Sequence, residues 1–159
     1  AIHAFVTSRL DQNNSLLVGL PMCAIIKLKR VQHAAARLLL GAKKGDHASP
    51  LLKKLHWLPI EQRITFKILL LVYKSVNAQG PQYLRELLVP YTPGRSLRSS
   101  SASLLHQPKS RSGYGDRSFS VAAPKLWNTL PNKIRESPSV NTFKSALKTY
   151  LFKHTFGSD

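Results

Sequence analysis

Ile60-Glu61-Gln62-Arg63-Ile64-Thr65-Phe66-Lys67-Ile68-Leu69-Leu70-Leu71-Val72-Tyr73-Lys74-Ser75-Val76-Asn77 decides the fold class of this chain. Ile60, Ile64, Ile68, Leu71, Val72 and Val76 recur at the three-four spacing of a helix face, and Leu69 and Leu70 widen the stripe. A face that broad predicts a central helix, packed by neighbours. Arg63, Lys67 and Lys74 fall outside the stripe and are expected on one exposed strip. The apolar run Ile68 to Val72 is far shorter than the ~20 residues a bilayer crossing needs.

Working outward from this helix, the flanks also read as helical. Residues 1–20 suit a helix broken at Asp11-Gln12-Asn13-Asn14 and stopped at Gly19-Leu20-Pro21. Ala24 to Leu40 predicts a long helix with Leu28, Val31, Ala35 and Leu38 as its buried stripe and Gly41 as its terminator. Lys27, Arg30 and Arg37 share another face of it, beside Ala34. Ser49-Pro50 predicts a capped short helix over Leu51 to Leu55, ended by Trp57-Leu58-Pro59. Gly80-Pro81 precedes another, about Gln82 to Leu88.

Between residues 89 and 115 the composition changes. Pro90, Pro93, Gly94, Ser99–Ser101, Pro108, Gly113 and Gly115 punctuate the chain without helical periodicity. This predicts a basic Pro/Ser/Arg-rich linker, with a short β-hairpin as an option, carrying Arg95, Arg98, Lys109 and Arg111, and Arg117 just past its end. Gly113-Tyr114-Gly115 reads as a flexible turn rather than a phosphate loop. Helix returns over Ser120–Leu130, interrupted at Pro124, and again over Ser139 to His154, where Val140, Phe143, Leu147, Tyr150 and Leu151 form the apolar set. The expected architecture is all-α: a helical bundle over 1–88, a linker over 89–115, and a smaller helical unit over 116–159 packing back on the bundle.

Charge points to a class of partner. Twenty-four Lys and Arg stand against seven Asp and Glu, a formal +17, yet 43% of the residues are hydrophobic. A disordered basic tail would lack that apolar content, so the cations are expected on the surface of a folded body. Self-repulsion of this size is relieved by a polyanion, with nucleic acid the first choice ahead of a membrane face. Lys27/Arg30/Arg37 and Arg63/Lys67/Lys74, on neighbouring helices, could line a phosphate-binding surface. The linker arginines could follow a single strand, with Tyr91 or Tyr114 stacking on a base. Core or interface packing is the plainer role for those tyrosines, and the favoured one for Trp57 and Trp127.

Catalytic patterns are missing from the sequence. The acids Asp11, Asp46, Glu61, Glu86, Asp116, Glu136 and Asp159 are dispersed, without the clustering that two-metal chemistry uses. The six histidines lack close ligand spacing, and the single Cys23 excludes an internal disulfide. No Walker A, GxGxxG, GxSxG or HExxH pattern occurs. No cofactor, metal or small-molecule substrate is expected. The start, Ala1-Ile2-His3-Ala4-Phe5, reads as helix interior without a signal-peptide layout, so the expectation is a segment of a longer, non-secreted protein, nuclear or cytoplasmic.

Several words of the sequence resemble the region downstream of the polymerase in LINE-type (non-long-terminal-repeat) retrotransposon proteins of animals. They are Ala4-Phe5-Val6-Thr7-Ser8-Arg9-Leu10-Asp11, Asn14-Ser15-Leu16-Leu17, Gly19-Leu20-Pro21, Arg30-Val31-Gln32, Ala34-Ala35-Ala36-Arg37-Leu38 and Leu55-His56-Trp57-Leu58-Pro59. Phe66 to Leu70, Tyr83-Leu84, Leu87-Leu88, Tyr91 with Pro93, Tyr114 to Asn128, Leu130-Pro131 and Phe143-Lys144 continue the resemblance in order. One departure is Gln12-Asn13, where family members usually carry an aromatic and a cysteine. The resemblance implies a role in target-primed reverse transcription without the catalytic parts, since the palm Asp-Asp pair is missing. The expected function is a non-catalytic segment holding template RNA or RNA–DNA duplex through phosphates. The alternatives are an interaction module packing on a reverse transcriptase core, and a retrotransposon remnant without selected function.

Overall fold

A computed structural model describes residues 2–92 and 103–157. The described residues form α1 (Ile2–Asp11), α2 (Met22–Leu40), α3 (Ala48–Lys54), α4 (Ile60–Val76), α5 (Gln82–Glu86), α6 (Phe119–Asn128), α7 (Asn132–Arg135) and α8 (Val140–Phe156), with short 3-10 turns at Asn14–Leu17 and Gly115–Arg117. The chain is all-α, and the described residues contain no strand. One antiparallel bridge joins Pro90 to Leu105, flanked by bonds from Tyr91 N–H to the Leu104 carbonyl (2.9 Å) and from His106 N–H to the Val89 carbonyl (2.8 Å). Arg95, Arg98 and the Ser99–Ser101 run lie outside the described residues.

Helix ends follow local chemistry, with two corrections. Gly41 takes the left-handed conformation (φ 62°) that closes α2, and its N–H bonds the Arg37 carbonyl. Ser139 starts α8, its hydroxyl accepting the Thr142 N–H at 3.2 Å. By contrast, α3 begins at Ala48, so Ser49 and Pro50 lie inside its first turn and Ser49 is not its cap. A proline is tolerated there because first-turn N–H groups have no intrahelical acceptor. Likewise α6 runs through Pro124 instead of breaking. The ring is buried, and only the bond to the Ser120 carbonyl is forgone.

Two compact units emerge: residues 1–66 with 148–159, and residues 67–147. These limits differ from the boundaries expected at 88 and 115, because α4 and α8 each supply residues to both units. In the first unit Ala35, Ala36, Leu52 and Trp57 form a buried cluster with Val6, Leu51, Leu55 and Phe156 against it. In the second, Phe143 stacks on Tyr73 (centroids 4.2 Å apart) and lies 6.0 Å from Trp127. The Tyr73 hydroxyl donates to the Ser137 carbonyl at 2.6 Å. Both tryptophans are buried, as expected.

The buried side of α2 also differs from expectation. Ile25, Gln32, Ala35 and Ala36 face inward, whereas Val31 and Leu38 are 51% and 68% exposed. The alanines let either side pass as apolar in the sequence. Polar pairing selects between them: Gln32, fully buried, donates to the Leu58 carbonyl at 2.8 Å, and Lys29 pairs with Glu61 at 2.6 Å.

Candidate nucleic-acid interface

In the first unit a polar network uses up most of the negative charge. Arg63 grips Asp11 through Nη1, at 2.9 and 2.8 Å from the two carboxylate oxygens, and its Nε donates to the Leu58 carbonyl at 3.0 Å. Leu58 precedes Pro59 in the turn into α4, so its carbonyl is free to accept from both Arg63 and Gln32. Arg63 therefore corrects the expectation of an exposed phosphate ligand. Its side chain is only 12% exposed and serves to tie α1 to α4. Because the Asp11 side is open to solvent, the pair belongs within the ~0–1 kcal/mol range of exposed ion pairs despite the burial of Arg63.

Asp46 is engaged too, its carboxylate accepting the Lys43 backbone N–H at 2.7 Å. Its carbonyl accepts Arg37 through Nε (3.1 Å) and Nη2 (2.8 Å). Arg37 thus fastens the turn after α2. Lys27 and Arg30 are exposed on α2 and make no bond or ion pair among the described residues. They lie three residues apart, on one helix face. Lys67 and Lys74 are half-buried on α4, which has no exposed residue before Val76, so the exposed strip expected there does not form.

In the second unit, seven of the twelve cations follow the bridge. Lys109 and Arg111 are exposed, and the Arg117 guanidinium lies 4.6 Å from the centroid of the Tyr114 ring. Tyr114 itself is 82% exposed, so core packing is not its role. Tyr91 is also exposed. Trp127 Nε1–H donates to the Ser103 carbonyl at 2.9 Å. The Asn128 amide pairs with both backbone groups of Leu105, at 3.0 and 2.8 Å, anchoring this segment on α6.

Sequence reading missed Gln32, Asn14 and Arg135, all buried polar residues. Arg135 donates to the Leu130 carbonyl at 2.8 Å and fastens the turn between α6 and α7; burial pushes its pKa below the usual arginine value. Its signal was faint: an arginine following Leu130-Pro131, with only Glu136 beside it. Among the described residues, no three His, Cys, Asp or Glu groups converge as metal ligands, and no helix is long and apolar enough to cross a membrane.

His33, on α2, is held below its ordinary pKa, first by burial, then by Arg37 and Lys29, with Glu61 opposing. The unfolded chain therefore takes up this proton first as pH falls through about 6.5. His33 supports folding fully above that pH, and the support is lost toward the lower folded value. Thermal denaturation between about pH 7.5 and 5.5 is expected to show Tm falling, and His33→Gln to flatten the fall. An unchanged slope would remove His33 as the cause.

No protein-family model, curated protein or solved structure matches this chain.

Proposed function

We propose that the chain is a non-catalytic nucleic-acid-binding segment, of the kind found after the polymerase in LINE-type retrotransposon proteins, which holds RNA or an RNA–DNA duplex through its phosphates. One observation carries the reading: the described acids of the first unit are occupied locally, while Lys27 and Arg30, exposed on α2, have no counter-charge among the described residues. That unit holds twelve Lys and Arg against four acids, and the other holds twelve against three. Fixed cations on a folded surface bind phosphate by displacing condensed counterions, with no need of a catalytic group.

A second reading, an interaction module packing on a reverse transcriptase core, is favoured by the apolar residues beside those cations. Val31 and Leu38 are more than half exposed on α2, and Met22 is too. The two readings separate in one experiment. Lys27→Glu with Arg30→Glu should lower affinity for RNA and for hybrid duplex roughly tenfold or more and reduce the salt slope by about 2. Val31→Ser with Leu38→Ser should leave it unchanged. The reverse pattern, with loss of polymerase-core capture in the serine variant, would establish the module instead.

A further inference from the structure

Tyr114 lies in a turn that is tied down and yet hides nothing. The Ser110 hydroxyl donates to the Ser112 carbonyl at 2.9 Å, and the Ser112 hydroxyl accepts the Gly115 N–H at 3.1 Å. Asp116 N–H reaches the Ser112 carbonyl at 3.0 Å, and the Ser118 hydroxyl donates to the Gly115 carbonyl at 2.7 Å. A Cβ on Gly115 would stand 2.3 Å from Ser110 Oγ, so a side chain there would push aside that hydroxyl and its bond to the Ser112 carbonyl. What reads in the sequence as a flexible turn is a braced one. It leads directly into α6, whose Ala122, Ala123 and Trp127 are buried.

The brace holds a large aromatic ring out in water. At 82% exposure Tyr114 adds almost no burial to the core. Arg117, 4.6 Å from the ring centroid, orients the ring and places a positive charge against it. Exposed Lys109 and Arg111 belong to the same short stretch and have no ion pair among the described residues; its one acid is Asp116. An exposed ring with one cation against it and two more in the preceding five residues fits a ligand that offers both a flat π-face and a phosphate. In duplex nucleic acid the base faces are already stacked, so the ring would have nothing to cover.

We infer that Tyr114 and Arg117, with Lys109 and Arg111, form a stacking site for an unpaired base of single-stranded nucleic acid. This rests on the nucleic-acid reading and narrows it, at this turn, to single strands. Sugar contacts are not part of the argument, so RNA and DNA strands share the required chemistry.

The test uses the full chain with fluorescent single strands of about 15 nucleotides, one RNA and one DNA, and with a duplex of the same length. Tyr114→Ala should weaken both single-strand complexes roughly 5- to 100-fold, in keeping with the cost of losing one stacked base. Duplex affinity should stay within about twofold, because duplex contacts run through cations alone. Tyr114→Phe should bind single strands like the parent, since the ring and not the hydroxyl carries the contact. Weakening of one single strand but not the other would assign the site to the affected sugar. The inference is overturned if Tyr114→Ala binds single strands normally, if duplex binding falls equally, or if Tyr114→Phe is as weak as Tyr114→Ala. In those cases the parent chain still binds, and the broader nucleic-acid reading stands. Failure of the parent chain to bind any of the three probes would overturn that reading and this one with it.

Discussion

Phe143→Ala is expected to destabilise the second unit by about 3–5 kcal/mol, enough to consume much of the stability of a unit this size. The side chain is fully buried, stacked on Tyr73 at 4.2 Å and close to Trp127 at 6.0 Å. Truncation removes the transfer energy of a whole ring and leaves a cavity that rigid aromatic neighbours cannot collapse into. It also frees Tyr73, whose hydroxyl holds the Ser137 carbonyl ahead of α8. Urea denaturation followed by the fluorescence of Trp127 and Trp57 measures the effect. Phe143→Leu should lose far less, because it keeps most of the volume. A midpoint shift worth under about 1 kcal/mol for the alanine variant would mean that this aromatic cluster does not hold the unit together.

Raising salt from about 50 to 200 mM should weaken nucleic-acid binding roughly 10²- to 10⁴-fold, following a log–log slope of roughly −4 to −7 for about five to eight phosphates neutralised. Both units carry a twelve-cation complement, and Lys27, Arg30, Lys109 and Arg111 are exposed without acidic partners among the described residues. Arg63 should contribute little to the slope, because its charge is already paired with the Asp11 carboxylate. Filter binding across a salt series measures it. A flat response would remove phosphate neutralisation as the source of affinity.

The helical character of the chain was legible because the strongest signals were local. The α4 stripe from Ile60 to Val72, the Gly41 stop and the Phe143/Leu147/Leu151 face follow from residue spacing and are found in the structure, whereas Val76, expected to close the α4 stripe, is 45% exposed. What spacing could not give was the choice among equally apolar sides. On α2 the alanine-rich sequence left two faces open, and the hydrogen bond from Gln32 to a residue 26 positions away chose between them. Of the candidate cations, the exposure of some was legible and the internal pairing of others was not. Lys27 and Arg30 are exposed as expected, yet Arg63 and Arg37 are drawn into internal bonds by a distant carboxylate and a turn carbonyl. Such pairings depend on tertiary approach, to which neither periodicity nor composition is sensitive. Tyr114 was legible as an alternative only, because its exposure depends on serine bonds that brace the turn.

Phe156 packs against the cluster of Ala35, Ala36, Leu52 and Trp57, and Phe152 stacks on His56, so the last turns of α8 complete a core built from residues 1–66. During synthesis, residues 1–66 must wait for the eighty-one residues of the second unit before their missing wall arrives. Loss of residues 148–159 by proteolysis or a premature stop codon would therefore be felt more than eighty residues upstream, in the packing of Trp57 and His56.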